Sequence, residues 1–98
     1  MNTPSTDEKA LEKDLREWAK KEGGLALKWV NPWFTGVPDR IVFLPGGILA
    51  FVELKSPGKI PGKRQKIVFP ILEKLGWPVW VIDTKEKLEN FKSLVWIS

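Results

Sequence analysis

The 98-residue chain has no cysteine and no histidine. Without them there is no thiol nucleophile, no imidazole base and no Cys/His zinc site, so any metal must be held by oxygen. Apolar runs of the ~20 residues that span a bilayer are also missing, and Met1 to Ala10 holds no stretch of the kind a secretory leader carries. An intracellular, cytoplasmic setting with no membrane partner is therefore expected. There are no internal repeats or low-complexity tracts, and one domain over residues 1–98 with one modest core is expected. What is present is ordinary for a globular protein, with 43% hydrophobic and 29% charged residues. The net charge of +4 suits a polyanionic partner, although charge of that size is also common in small soluble domains.

The most informative stretch runs from Pro38 to Lys55. Pro38-Asp39-Arg40-Ile41-Val42-Phe43-Leu44 and Ile48-Leu49-Ala50-Phe51-Val52-Glu53-Leu54-Lys55 are filled with β-branched and aromatic residues, and Pro45-Gly46-Gly47 separates them. This predicts a hairpin. A three-residue loop sets Leu44 against Ile48 and, counting outward, Asp39 against Glu53. A two-residue Gly46-Gly47 loop would pair Asp39 with Leu54 and split the acids between faces, so the three-residue loop is preferred. Both faces of the hairpin are mostly apolar, which predicts a central position in a sheet covered on both sides.

Opposed acids in a ladder have Cβ atoms about 4.5 to 5.5 Å apart, where like charges destabilise a sheet. A hard cation such as Mg²⁺ or Mn²⁺ suits the gap, with Asp39, Glu53 and the backbone carbonyl of Leu54 as ligands. Lys55, two residues beyond Glu53 on the same face, reaches the same place. The alternative is a wet hairpin end in which Asp39 and Glu53 form surface ion pairs with Arg40 and Lys55.

Gly36-Val37-Pro38-Asp39-Arg40, then Phe51-Val52-Glu53-Leu54-Lys55, then Gln65, taken in that order, resemble the VRR-NUC (virus-type replication-repair nuclease) family of the PD-(D/E)xK superfamily. The likeness extends from the first helix to about Asp83. It implies a restriction-endonuclease-like α/β core, α-β-β-β-α-β-α, with a mixed sheet flanked by helices. It also implies catalytic roles for Asp39, Glu53 and Lys55, a site-facing Gln65 that holds a water or phosphate oxygen, and a helix glutamate near the metal. Glu12 is the choice for that glutamate, because Glu8 falls in a Ser5-Thr6-Asp7-Glu8 capping box that starts a helix near Thr6. A solvated surface glutamate is the other reading of Glu12.

In the remaining segments, Leu11, Leu15 and Trp18 form an apolar helical stripe that Gly23-Gly24 ends, and Leu25 to Val30 reads as a strand. Trp33 and Phe34 suit either stacking on bases of an unpaired strand or burial in the core or a subunit contact, and the need of small domains for aromatic area favours burial. Lys55, Lys59, Lys63, Arg64 and Lys66 follow one another without an intervening acid. Lys59, Lys63, Arg64 and Lys66 are candidates to grip a phosphate backbone beside a helix N-terminus, and a solvated charge run is the alternative. A helix from about Gly62 to Leu75 carries Ile67, Val68, Ile71, Leu72 and Leu75 as its apolar stripe, with Pro70 inside it. Val79 to Ile82 is a strand, and a last helix capped by Asp83 or Thr84 turns Phe91 and Leu94 inward, leaving Val95-Trp96-Ile97 as an apolar tail.

The resulting expectation is a metal-dependent endodeoxyribonuclease. The family resemblance implies structured or branched DNA as substrate and a homodimeric Holliday-junction resolvase of viral or bacterial origin, acting inside the cell. A flap, nick or restriction-type nuclease would share the catalytic residues, and a noncatalytic DNA-binding module would need none of them.

Overall fold

The computed structural model describes residues 7–97. Ser5 and Thr6, expected at the first helix start, lie outside them. The element order is α1 (Glu8–Lys21), β1 (Leu25–Lys28), β2 (Arg40–Leu44), β3 (Ile48–Leu54), α2 (Lys63–Lys74), β4 (Val79–Ile82) and α3 (Lys85–Leu94). The four strands form one mixed sheet in the order β1-β2-β3-β4. β1, β2 and β3 pair antiparallel, and β4 runs parallel to β3. Two parallel neighbours need a crossover, and α2 provides it.

Leu44 pairs with Ile48 across a three-residue turn, which gives the register expected from the sequence. Gly46 and Gly47 both adopt positive φ there, at 87° and 76°, a conformation that disfavours side chains with a Cβ. Arg40 pairs with Val52, so the next positions outward are Asp39 and Glu53.

One face of the sheet is buried. Val42, Leu44, Ala50, Val52, Leu54 and Ile82 meet Leu11, Leu15 and Ala19 of α1 and Leu88 and Phe91 of α3, with Val95 just beyond. Edge-on contacts of Phe91 with Trp18 and Trp80, at centroid separations of 5.7 and 5.1 Å, knit the helices to the strands. Expected cover on the opposite face is incomplete, because Leu25, Leu27 and Phe43 there are 55%, 47% and 42% exposed. The aromatic row Trp29, Phe51 and Trp77 fills part of that face.

Three assignments of side chains to the interior are corrected. Of the α2 stripe, Val68 is buried whereas Ile67, Ile71 and Leu75 are exposed, because helical spacing fixes a shared face without supplying anything to cover it. Leu94 is half exposed, and Leu88, Phe91 and Val95 make the inward face of the last helix and its end. Trp33 and Phe34 stay outside the core of the chain. Pro70 sits within a continuous α2, and Thr84 rather than Asp83 caps α3 by accepting the Lys87 N–H at 3.1 Å.

Candidate active site

Asp39 and Glu53 are braced against each other by the backbone. The Asp39 N–H donates to Glu53 Oε1 at 3.0 Å, and the Leu54 N–H donates to Asp39 Oδ1 at 3.2 Å. Each strand thus supplies an amide to the other strand's acid, and both heads stay on one face of the sheet. Glu53 is 3% exposed, the one buried charged side chain among the described residues. A buried carboxylate needs partners, and Glu53 has a second in Lys55, whose Nζ lies 3.0 Å from its Oε2. The surface-ion-pair alternative does not fit so deeply buried an acid.

Glu53 acts on Asp39 through its charge. Burial, reinforced by the charge of Glu53, pushes the Asp39 carboxyl up to about 6. The Leu54 N–H and the Arg40 guanidinium pull in the other direction, and Glu8 adds to the rise. A cation between the two carboxylates would oppose both the burial and the repulsion.

The site's oxygen donors among the described side chains are the carboxylates of Asp39 and Glu53. No group of three or more acidic side chains forms a ready ligand set among the described residues. Two carboxylates fit an ion such as Mg²⁺, which keeps several waters and completes its shell with substrate phosphate. The donor set therefore suits a hard divalent cation.

Around this pair lie Arg40 and the helix glutamates Glu12 and Glu8. Arg40 donates from Nη1 to the Asp39 carbonyl at 3.1 Å, and its Nη2 lies 3.7 Å from Glu12 Oε2. Glu12 also meets Arg16 Nε at 3.4 Å, so its carboxylate is shared between two guanidinium groups. Glu8 is not the capping residue. Asp7 takes that place by accepting the Ala10 N–H at 2.7 Å. Glu8 and Glu12 instead line a recess with Lys9 and Arg40. Arg40 was legible as part of the Pro38-Asp39-Arg40 run, but its bridge to α1 is a tertiary contact without a sequence signal.

Gln65 holds backbone at both ends of its amide. Oε1 accepts the Gly62 N–H at 3.1 Å, half of a reciprocal cap that Gly62, lacking a side chain, cannot return. Nε2 reaches the Val37 carbonyl at 3.5 Å, two residues ahead of Asp39. These bonds make Gln65 a link between α2 and the segment that delivers Asp39. Gly36 completes the junction. Its φ is 95°, and a Cβ there would lie 2.8 Å from the Arg64 carbonyl oxygen and 2.9 Å from Val68 Cγ2.

Lys59, Lys63, Arg64 and Lys66 are all exposed on the loop and first turn of α2. Lys59, Lys63 and Lys66 have no carboxylate within ion-pair distance among the described residues. Arg64 Nε donates to Thr35 Oγ1 at 3.2 Å. Asp83, just past β4, pairs with Lys87 at 2.8 Å. The Lys87 ammonium holds its carboxyl below the usual range.

A mixed four-stranded sheet with Pro38-Asp39 at the start of one central strand and Glu53-Leu54-Lys55 at the end of its neighbour is the arrangement of a PD-(D/E)xK-type site. No family model matches the chain. It is 43% identical over 79 residues to "Putative nuclease p44" of Acyrthosiphon pisum secondary endosymbiont phage 1, an alignment spanning 81% of this chain and 85% of that protein. A solved structure described as a VRR_NUC domain superposes with a TM-score of 0.81 at 28% identity, over 90% of this chain and 96% of that one. The chain belongs to the VRR-NUC family of nucleases.

Proposed function

We propose that the protein is a Mg²⁺- or Mn²⁺-dependent endodeoxyribonuclease that hydrolyses phosphodiester bonds in branched DNA, in the manner of a Holliday-junction resolvase. The observation that carries this is the braced Asp39–Glu53 pair with Lys55 Nζ 3.0 Å from Glu53 Oε2. Asp39, Glu53 and the Leu54 carbonyl would hold the metal, which when bound supplies charge neutralisation at the scissile phosphate and acidifies a water.

The chain's own groups do the rest. The amides of Asp39 and Leu54 fix the carboxylates in place before substrate arrives, so little reorganisation is needed. The Lys55 ammonium, anchored on Glu53, sits where it can orient the attacking water and offset charge on the phosphate oxygens. Lys59, Lys63, Arg64 and Lys66 hold the flanking backbone and make binding salt-dependent.

Acting as a single domain over residues 1–98, the chain would work as a homodimer. Supporting this, Leu25, Leu27 and Phe43 on the sheet and Ile67, Ile71 and Leu75 on α2 leave broad apolar surface open. A two-fold pair of sites suits symmetric cutting of a four-way junction. The phage origin of the p44 relative supports action within a host cell, and no helix among the described residues is long and apolar enough to cross a membrane.

The test is a panel of labelled four-way junctions, flaps, nicked and intact duplexes incubated with Mn²⁺, Mg²⁺ or EDTA, with sedimentation to weigh the active species. Paired symmetric cuts in junctions, lost in EDTA and in Glu53→Ala, are expected. Equal cutting of all substrates would remove the junction assignment, and no cutting of any would remove the nuclease assignment.

A further inference from the structure

The largest side chain on the loop that leads into the site is also the most exposed of the large hydrophobics. Trp33 is 94% exposed and makes no ring contact among the described residues. A small domain seldom leaves an indole in water without use for it.

The loop beneath it is stiff. Asn31 Oδ1 accepts the N–H groups of both Trp33 and Phe34, at 3.1 and 3.0 Å, and Pro32 between them fixes φ. Thr35, Gly36 and Val37 are then held to α2 by Arg64, by close packing on Val68 and by Gln65 respectively. At the other end the Trp29 N–H donates to the Asp39 carbonyl at 2.8 Å, so both ends of the loop meet at the catalytic acid. Such pre-organisation lowers the ordering entropy that binding would otherwise require.

The surroundings are basic. Arg64, bonded through Nε to Thr35 two residues from Trp33, keeps its Nη groups for an anion, and its sequence neighbours Lys63 and Lys66 have no ion pair among the described residues. An exposed π surface on a loop tied to this basic turn matches a nucleotide, whose base stacks while its phosphate is held. An apolar protein partner would not call for those cations. Asp39 lies six steps along the chain from Trp33, a reach of at most about 20 Å, or about six nucleotides along a strand.

We propose that Trp33 is a nucleobase-stacking platform, through which the enzyme selects DNA with an unpaired base within about six nucleotides of the phosphate cut at Asp39 and Glu53. The proposal rests on the nuclease reading above and directs it to branched DNA with unpaired bases at the branch, which a fully paired four-way junction lacks.

The experiment compares parent, Trp33→Ala and Trp33→Phe, full chain, on a fully paired duplex and on branched DNA of equal length with unpaired bases at the branch. Binding is measured in EDTA and cleavage in Mn²⁺. Loss of one base stack lowers affinity about 5- to 150-fold. That loss is expected for Trp33→Ala on the branched DNA, with less than about 2-fold change on the duplex and most of the affinity regained in Trp33→Phe. A 2-aminopurine at the unpaired position should be quenched by parent and Trp33→Phe and stay bright with Trp33→Ala. Equal losses on both substrates, no loss on either, or a change of sedimentation coefficient in Trp33→Ala that marks a subunit contact would each overturn the proposal. If the parent cuts the branched DNA while Trp33→Ala matches it, the stacking role alone fails. If the parent cuts nothing, the nuclease reading fails first.

Discussion

Replacing Asp39 by asparagine should abolish cleavage and, in metal-free buffer, make the protein more stable at neutral pH. In the fold the Asp39 carboxyl is pushed from 3.8 to about 6. The folded state therefore binds more protons than the unfolded chain between those values, and stability falls as pH rises through the window. Two pH units at about 1.4 kcal/mol each give an upper figure of about 3 kcal/mol. Asp39 is only part-buried, and solvent screening reduces this to about 1–2 kcal/mol. Asparagine keeps an oxygen for the Leu54 N–H and discards the charge. Urea unfolding in EDTA, followed by the fluorescence of the six tryptophans, should show Asp39→Asn and parent drawing level only below pH 3.8 and parting from there to about pH 6. By pH 7.5 the variant should be about 1–2 kcal/mol ahead. The window is clean because the chain has no histidine. Asp14 and Asp83, whose carboxyls are held low, lose their contribution only as pH falls below the ordinary 3.8. A parent whose stability stays flat or rises from pH 5 to 7, or a variant weaker than parent at pH 7.5, would refute the reasoning.

Other substitutions separate chemistry from scaffolding. Lys55→Ala removes the ammonium at 3.0 Å from Glu53 and should slow single-turnover cleavage by about 100-fold or more, with DNA affinity within about 3-fold of parent by fluorescence anisotropy. Gln65→Glu keeps an acceptor for the Gly62 N–H but removes the donor to the Val37 carbonyl. A loss of about 1–2 kcal/mol in urea unfolding should accompany slower cleavage, and Gln65→Ala should lose both bonds and more stability. Gly36→Ala forces a Cβ to within 2.8 Å of the Arg64 carbonyl oxygen at a φ of 95°. It should destabilise by about 2–4 kcal/mol in thermal or urea melts.

The hairpin register was legible from sequence because two signals agreed: alternating burial along each arm and a Pro-Gly-Gly turn of definite length. From that register came the opposed acids and Lys55. α2 was placed to within a residue or so, yet its stripe was misread, since periodicity cannot report that Ile67, Ile71 and Leu75 face open space. The same gap hid the state of Trp33 and Phe34. Glu8 and Glu12 differ by one helical turn and by which residue caps α1, a choice decided by the Asp7 side chain and by where α1 lies against β2. The engagement of Gln65 with Val37 joins residues 28 positions apart and has no local trace in sequence.

The turn at Pro45-Gly46-Gly47 lies at the far end of the hairpin from Asp39, yet it acts as a counting device for the enzyme. Directly opposed residues share a side of the sheet, so a one-step slip of one strand past the other would send the two acids to opposite sides. The same slip would turn that strand's core residues outward, so burial and the acid pair are guarded by one register, and a change of tip length is tolerated only where the loop absorbs it and leaves Arg40 opposite Val52.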